Sequence, residues 1–262
     1  MKLITHKGVF HADEVFAIAI LSKIYREYEL IRTYDITDYH LKSKFCFVLD
    51  IGREYTPSKH NFDHHQDPKL PATNILIYDY LANDIHKIYG IDKSMAEKFD
   101  DIVKSKLLNF ISDMDVGSIL EEDIRNIPNI SSIISGFNVF ENGFDMALDL
   151  AKNVVESTFI NAKKAIDTLV IWKSLENVNP YVKIQRDDTV MVDWKSLAKE
   201  DNIYLLIQPN ARGGWQIVSR STNEYIIPSD DKQSFRHNSG FMVVYPELSD
   251  AIDFVNRLNF VN

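Results

Sequence analysis

The chain has 262 residues, enough to bury a sizeable core as one large domain or two modest ones. Its 45% hydrophobic and 26% charged residues are those of an ordinary globular protein. A formal charge of −9 argues against a protein that coats duplex nucleic acid, since that binding neutralises many phosphates; a short anionic substrate held by metal ions stays open, because the ions bring their own positive charge.

In chain order, Leu3-Ile4-Thr5 reads as a short strand and His6 to His11 as a loop. From Ala12 the apolar residues Val15, Ala19, Ile20 and Ile24 recur at helical spacing, predicting a helix to about Tyr28. Ile31–Tyr34 and Phe45–Leu49 read as strands, the second apolar throughout, as a strand covered on both faces is. Cys46 lies inside that run and reads as a small buried hydrophobe; a single cysteine gives no intrachain disulfide and no sign of an oxidising compartment. Pro68 and Pro71 precede a helix over Asn74–Tyr89 that stops at Gly90, and a second helix covers about Lys93–Ile111. The chain turns over Pro128–Phe140. A long helix then starts near Phe144, with Met146, Leu150, Val154, Val155 and Phe159 on one stripe.

Strands at Tyr181–Ile184, Thr189–Val192, Ile203–Ile207 and Trp215–Ser219, and a helix at Leu248–Leu258, complete the pattern. The expectation is an α/β protein: an N-terminal domain with a mainly parallel sheet (1–140), a connector helix (141–172) and a smaller α/β domain (173–262). No apolar run approaches the roughly 20 residues that span a bilayer. The opening Met1-Lys2-Leu3-Ile4-Thr5-His6 has neither an apolar signal core nor an Arg/Ser-rich presequence, so a cytoplasmic location without membrane partners is expected.

Of the eight histidines, six fall early: His6, His11, His40, His60, His64 and His65. His6, His11 and Asp13 follow the first strand, Asp50 ends another, Asp63-His64-His65 lies in the next loop, and Asp113 and Asp115 close a helix. In a parallel sheet the carboxyl ends of neighbouring strands share one crevice, where imidazoles and carboxylates converge on metal ions. His40 and His60 fit no such position and read as surface residues. In the C-terminal domain Arg212, Arg220, Arg236 and His237 are the candidate clamps on a substrate phosphate or base. Gly240, close to His237, permits close backbone approach to a ligand. Trp194 and Trp215 read as core before they read as base-stacking groups. The crevice between domains is the expected site of substrate.

The stretches Thr5-His6-Lys7-Gly8-Val9-Phe10-His11-Ala12-Asp13-Glu14, Val48-Leu49-Asp50-Ile51-Gly52 and Phe62-Asp63-His64-His65-Gln66 resemble the signatures of the DHH phosphoesterase superfamily. They are most similar to its melanocyte-proliferating-gene-product branch, whose characterised members are reported as RNA exonucleases. Looser similarity continues through Val192-Asp193-Trp194-Lys195, Gly214-Trp215-Gln216-Ile217-Val218 and His237-Asn238-Ser239-Gly240-Phe241. The resemblance implies His6 and His11 on one metal, Asp13 on a second, Asp50 bridging both and His64 joining the second. Asp115 completes that set, with Asp113 as the alternative. It further implies Asp63 orienting an imidazole and His65 facing the substrate phosphate or the leaving oxygen. Histidine at position 11 follows the branch; most of the superfamily has aspartate there. Asn61 replaces the branch's arginine, Ala72-Thr73-Asn74-Ile75 replaces Ser-Ser-Ala-Gly, and Met242-Val243-Val244-Tyr245-Pro246 replaces a glycine- and basic-rich ending, so the departures fall on substrate choice.

The expected activity is hydrolysis of phosphodiester bonds in short RNA, other oligonucleotides or small nucleotides. Two divalent ions, Mn²⁺ before Mg²⁺, Co²⁺ or Zn²⁺, would support in-line attack on phosphorus, with His65 assisting. A metal amidohydrolase or deacetylase, and a silent nucleotide-binding module, are the rival readings. Stable duplex DNA binding is not expected, and the oligomeric state stays open.

Overall fold

The computed structural model describes residues 1–124 and 127–260. The chain divides into two compact units, Met1–Lys163 and Lys164–Asn262.

The first unit holds a five-stranded sheet of β1 (Lys2–Thr5), β2 (Glu29–Arg32), β3 (Cys46–Leu49), β4 (Tyr55–Thr56) and β5 (Asn61–Phe62). The spatial order is β2-β1-β3-β5-β4, with every neighbouring pair parallel except β4 and β5. Cys46 to Leu49 are all buried, which explains the unbroken apolar run of β3. Because β2 and β3 flank β1 on opposite sides, the connections leaving β1 and β3 diverge. A crevice opens at their carboxyl ends.

Helix α1 (Ala12–Ile24) is buried at every position from Ala12 to Leu21, so it is a core helix with no solvent face along that length. It stops four residues before the expected Tyr28. Helix α2 (Asp38–Lys42) is short, and α3 (Thr73–Tyr89) packs against α1. Gly90, at φ +62°, ends α3 and donates its N–H to His86 and Lys87 carbonyls; the left-handed turn costs glycine nothing. Where one helix over Lys93–Ile111 was expected, α4 (Ala96–Val103) and α5 (Asn109–Asp115) flank a π-helical turn at Lys104–Leu108. The expected turn near residue 130 contains α6 (Ile130–Gly136), and α7 (Gly143–Ser174) is the long helix. The division between units falls within α7.

The second unit adds β6 (Glu176–Asn179), β7 (Val182–Ile184), α8 (Trp194–Glu200), β8 (Leu205–Pro209), β9 (Trp215–Ser219), β10 (Phe235–Arg236), β11 (Met242–Tyr245) and α9 (Leu248–Asn256). Its sheet runs β10-β11-β9-β8-β7-β6 and is antiparallel apart from β7–β8, which α8 connects. Alternation along β8 and β9 splits the core. Ile207 and Ile217 face Phe254 and Val255 of α9, while Leu206 and Val218 join Trp172 and Trp194. Trp194 is therefore core, stacked 6.1 Å from Trp172. The expected strand at Thr189–Val192 does not form; Gln185 Nε2 donates to the Thr189 carbonyl instead, and Val192 N–H donates to Thr168 Oγ1. Among the described residues no helix is long and apolar enough to cross a membrane.

Candidate metal centre

The carboxyl end of β1 delivers His6 and the loop to His11. Two distant side chains pin that loop. Arg32 on β2 donates to the carbonyls of His6 (3.3 Å) and Gly8 (2.7 Å), with its guanidinium 4.2 Å from the Phe144 ring. Asn138 brackets Phe10, its amide oxygen accepting from the Phe10 N–H (3.0 Å) and its amide nitrogen donating to the Phe10 carbonyl (2.9 Å). At Gly8 (φ +93°) a side chain would collide with the Tyr34 hydroxyl. Asp13 and Glu14 follow in the first turn of α1, both with no exposed surface.

The end of β3 delivers Asp50, whose backbone is left-handed (φ +56°), a state aspartate tolerates better than most residues. Beyond β5 come Asp63, His64 and His65, and α5 ends on Asp115.

Three overlapping groups bring these side chains together, each with one ligand atom per residue and all such atoms within 4.8 Å of one another: His6, His11, Glu14 and Asp50; Asp50, His64 and His65; His11, Asp13 and Asp115. Asp50 belongs to two of them, and so does His11. His6 Nε2 stands 3.0 Å from Glu14 Oε1 and 3.4 Å from Asp50 Oδ2. Its Nδ1 lies 3.3 Å from the Lys7 carbonyl, which favours the tautomer that leaves Nε2 a lone pair. His64 Nε2 stands 3.2 Å from Asp50 Oδ1 and 3.1 Å from Asp115 Oδ2, yet it is aligned with neither and makes no hydrogen bond. Asp13 Oδ1 is likewise buried without a partner. Each such orphan costs about 1–3 kcal/mol. Imidazoles and carboxylates without thiolate, two of their atoms buried and unsatisfied, suit a divalent cation.

Electrostatics agree. Burial, then Asp50, Asp115 and Glu14, push the Asp13 carboxyl well above the usual range. Burial also raises Glu14, against the pull of His6. Asp50 goes the other way: burial resists ionisation, but His6, His64 and His65 hold it down at about 2. Asp50 and Glu14 lift His6 to about 10; Asp115 and Asp50 lift His64 to about 10 although burial opposes it. The crevice packs more negative charge than it can carry unaided.

Asp63 ties its loop together. One oxygen accepts from Arg53 N–H (2.6 Å); the other accepts from His65 N–H (3.0 Å) and lies 2.8 Å from His65 Nδ1. Asp113 belongs to none of the three groups. Of the two histidines expected at the surface, His40 accepts from Thr37 N–H. His60 differs from the expectation by stacking 4.2 Å from Phe47.

A family model described as an uncharacterised protein family (UPF0160), labelled MYG1 exonuclease, matches residues 2–187, which takes in every residue of this centre. The chain belongs to the MYG1 family. Among its relatives, the MYG1 protein of Caenorhabditis elegans is 22% identical over 94% of this chain and 83% of its own length. The proteins called MYG1 exonuclease from Bos taurus and Homo sapiens are 46% and 45% identical, over 24% of this chain and only 16% of theirs. A yeast MYG1 protein, from Saccharomyces cerevisiae, is 25% identical over 61% of this chain and 55% of its own.

Two residues of this MYG1-family centre carry no role in the sequence reading. Glu14 accepts from His11 N–H through both oxygens (3.0 and 2.9 Å) while facing His6, and the His11-x-x-Glu14 spacing of a capping box was its signal. Thr73 opens α3 with its N–H 3.3 Å from Asp13 Oδ2 and its hydroxyl 3.3 Å from Asp50 Oδ1. It sits where the family resemblance breaks, so no motif pointed to it.

In the second unit, His237 Nδ1 lies 3.0 Å from Ser239 Oγ, and Gly240 (φ +70°) donates its N–H to the His237 carbonyl. The Arg220 guanidinium is buried, donating to the carbonyls of Ala198 and Ile203 (both 3.0 Å) and pairing with Glu224. Arg236 donates to the Ile227 carbonyl, and Arg212 is exposed on a cavity of about 910 Å³ that Gln208 and Gln216 also line.

Proposed function

We infer that this chain is a metal-dependent phosphoesterase of the DHH type, an exonuclease acting on short RNA, other oligonucleotides or small nucleotides. One observation carries the reading: the three ligand groups overlap, sharing Asp50 and His11, so their side chains would hold two cations side by side. His6, His11, Glu14 and Asp50 would hold one ion; Asp13, Asp50, His64 and Asp115 would hold the other. The relatives called MYG1 exonuclease support the same chemistry. Imidazole and carboxylate donors without sulfur favour Mn²⁺. The lone buried Cys46 fits a reducing compartment such as the cytoplasm.

Divalent ions in such a site supply Lewis acidity, readying a water and offsetting charge that grows on the phosphoryl oxygens. The protein's own groups do the rest. Asp63 holds the proton of His65 on Nδ1, so Nε2 is free to exchange a proton with a reacting oxygen. Thr73 fixes Asp13 and Asp50 from the start of α3, and Arg32 and Asn138 hold the His6–His11 loop still. In the second unit His237 and Gly240 would contact substrate, while Arg220 steadies α8. Overlap at Asp50 weighs against a single-metal amidohydrolase, which needs three protein ligands on one ion.

The test is Mn²⁺-dependent release of nucleotides from an end-labelled short oligonucleotide. Release that His64→Ala abolishes supports the reading; release without added metal, or unchanged in His64→Ala, contradicts it.

A further inference from the structure

The cavity of about 910 Å³ in the second unit has a floor that the sheet register explains. Phe235 pairs with Val244, Val244 with Gln216, and Gln216 with Gln208. Gln185 follows Ile184, the partner of Ile207, and so falls beside Gln208. Gln185, Gln208 and Gln216 therefore form one row from the end of β7 across β8 and β9, on strands about 4.8 Å apart. The next row on that face, Leu206, Val218 and Met242, packs with Trp172 and Trp194. The glutamine row lines the cavity instead. Gln185 is 1% exposed, and the two ends of its carboxamide differ. Nε2 donates to Asp187 Oδ1 (2.9 Å) and to the Thr189 carbonyl (2.5 Å), while Oε1 is buried with no hydrogen-bond partner.

Charge narrows the occupant. The charged side chains around the cavity are Asp187, Asp188 and Arg212, two negative and one positive. Both acids follow Gln185 closely in the chain, on the side of its uncommitted oxygen. Arg212 stands on the β8–β9 turn, where Asn210 Oδ1 accepts the Arg212 N–H (2.9 Å) and Asn210 Nδ2 donates to Gln216 (2.9 Å). A complementary ligand carries positive charge and N–H donors at one end and a carboxylate at the other. Met191 and Met242 in the wall suit an aliphatic stem between them. A planar guanidinium offers five donors, enough for carboxylates and the Gln185 oxygen together. We propose that this cavity binds a free basic amino acid of the arginine type, its guanidinium at Gln185, Asp187 and Asp188 and its carboxylate at Arg212. Such a ligand has two positive groups and one negative, the inverse of the wall. The two acids disfavour a phosphate, so the second unit has a ligand of its own, distinct from the chemistry of the metal centre.

The experiment is calorimetric titration of the full chain in EDTA, so its outcome is independent of the metal reading. The probes are L-arginine, agmatine, which lacks the carboxylate, and citrulline, which carries a neutral urea in place of the guanidinium. The wild type should bind one arginine per chain, with agmatine and citrulline each at least about tenfold weaker. Arg212→Gln, at an exposed position, should bring arginine down to the affinity of agmatine. Gln185→Leu should weaken arginine by about tenfold or more. Asp188→Asn, at an exposed position, should weaken arginine and agmatine alike and serves should Gln185→Leu not fold. A wild type that binds no arginine below about 10 mM overturns the proposal. So does arginine bound no more tightly than citrulline or agmatine, or an arginine affinity that Arg212→Gln or Asp188→Asn leaves unchanged.

Discussion

The two units treat most of their buried polar side chains differently, although Gln185 Oε1 in the second also lacks a hydrogen-bond partner. In the second, the Arg220 guanidinium gives its protons to two helix-end and loop carbonyls and to Glu224, Arg236 donates to the Ile227 carbonyl, and the Ser219 hydroxyl donates to the Tyr225 carbonyl. In the first, Asp13 Oδ1 and His64 Nε2 are buried without a hydrogen bond, and burial with the neighbouring carboxylates pushes the Asp13 carboxyl well above its usual range. Satisfied polar groups stabilise a fold. Unsatisfied ones gathered at the end of a sheet are the kind of arrangement that suits a ligand.

Asp50→Asn removes the charge shared by two groups, and Mn²⁺-dependent hydrolysis should fall by about a thousandfold or more with the fold intact by circular dichroism. Activity within a few-fold of wild type would remove the distinction between the units. Arg220→Ala is the converse case. Losing buried charged hydrogen bonds should lower stability by about 2–4 kcal/mol in urea unfolding, while Mn²⁺ affinity stays the same; a stable variant that loses metal would reverse the assignment.

Asn138→Ala removes the bracket on Phe10 and should weaken Mn²⁺ binding by about 10–100-fold, as loss of a residue that positions ligands does. Calorimetry of the variant reads this directly, and an unchanged affinity would show that the loop holds itself. The smallest effect concerns Asp13 without metal. Its folded pKa lies above its unfolded one, so in metal-free protein it costs stability increasingly as pH rises above about 4. Asp13→Asn imitates the neutral acid. In EDTA-treated protein it should raise Tm at pH 7, make no difference near pH 4, and abolish the rise in Tm that Mn²⁺ gives the wild type. A lower Tm at pH 7 would contradict the crowding argument.

Much of this was legible in the sequence where a single local rule decides. The apolar run of β3, the stop of α3 at Gly90 and β9 at Trp215–Ser219 each follow from burial or from one backbone conformation. The short edge strands β6 and β10 were not legible, because two to four half-polar residues carry no period, and β11 was hidden behind a motif comparison. The placement of His6, Asp50 and His64 after strand ends was enough to suggest that they meet, while spacing alone left Asp113 and Asp115 as alternatives. Glu14 was masked by its place beside Asp13 in an apolar helix, where an acid reads as an end-of-helix charge. Asn138 acts on Phe10 across 128 residues, and no local pattern reports such a contact.

If separate strand and helix ends hold two cations around Asp50, as proposed, titration of the metal-free protein with Mn²⁺ followed by calorimetry should count two ions per wild-type chain, with protons released as they bind, and at most one for Asp50→Asn. A single ion in the wild type, or two in Asp50→Asn, would contradict it.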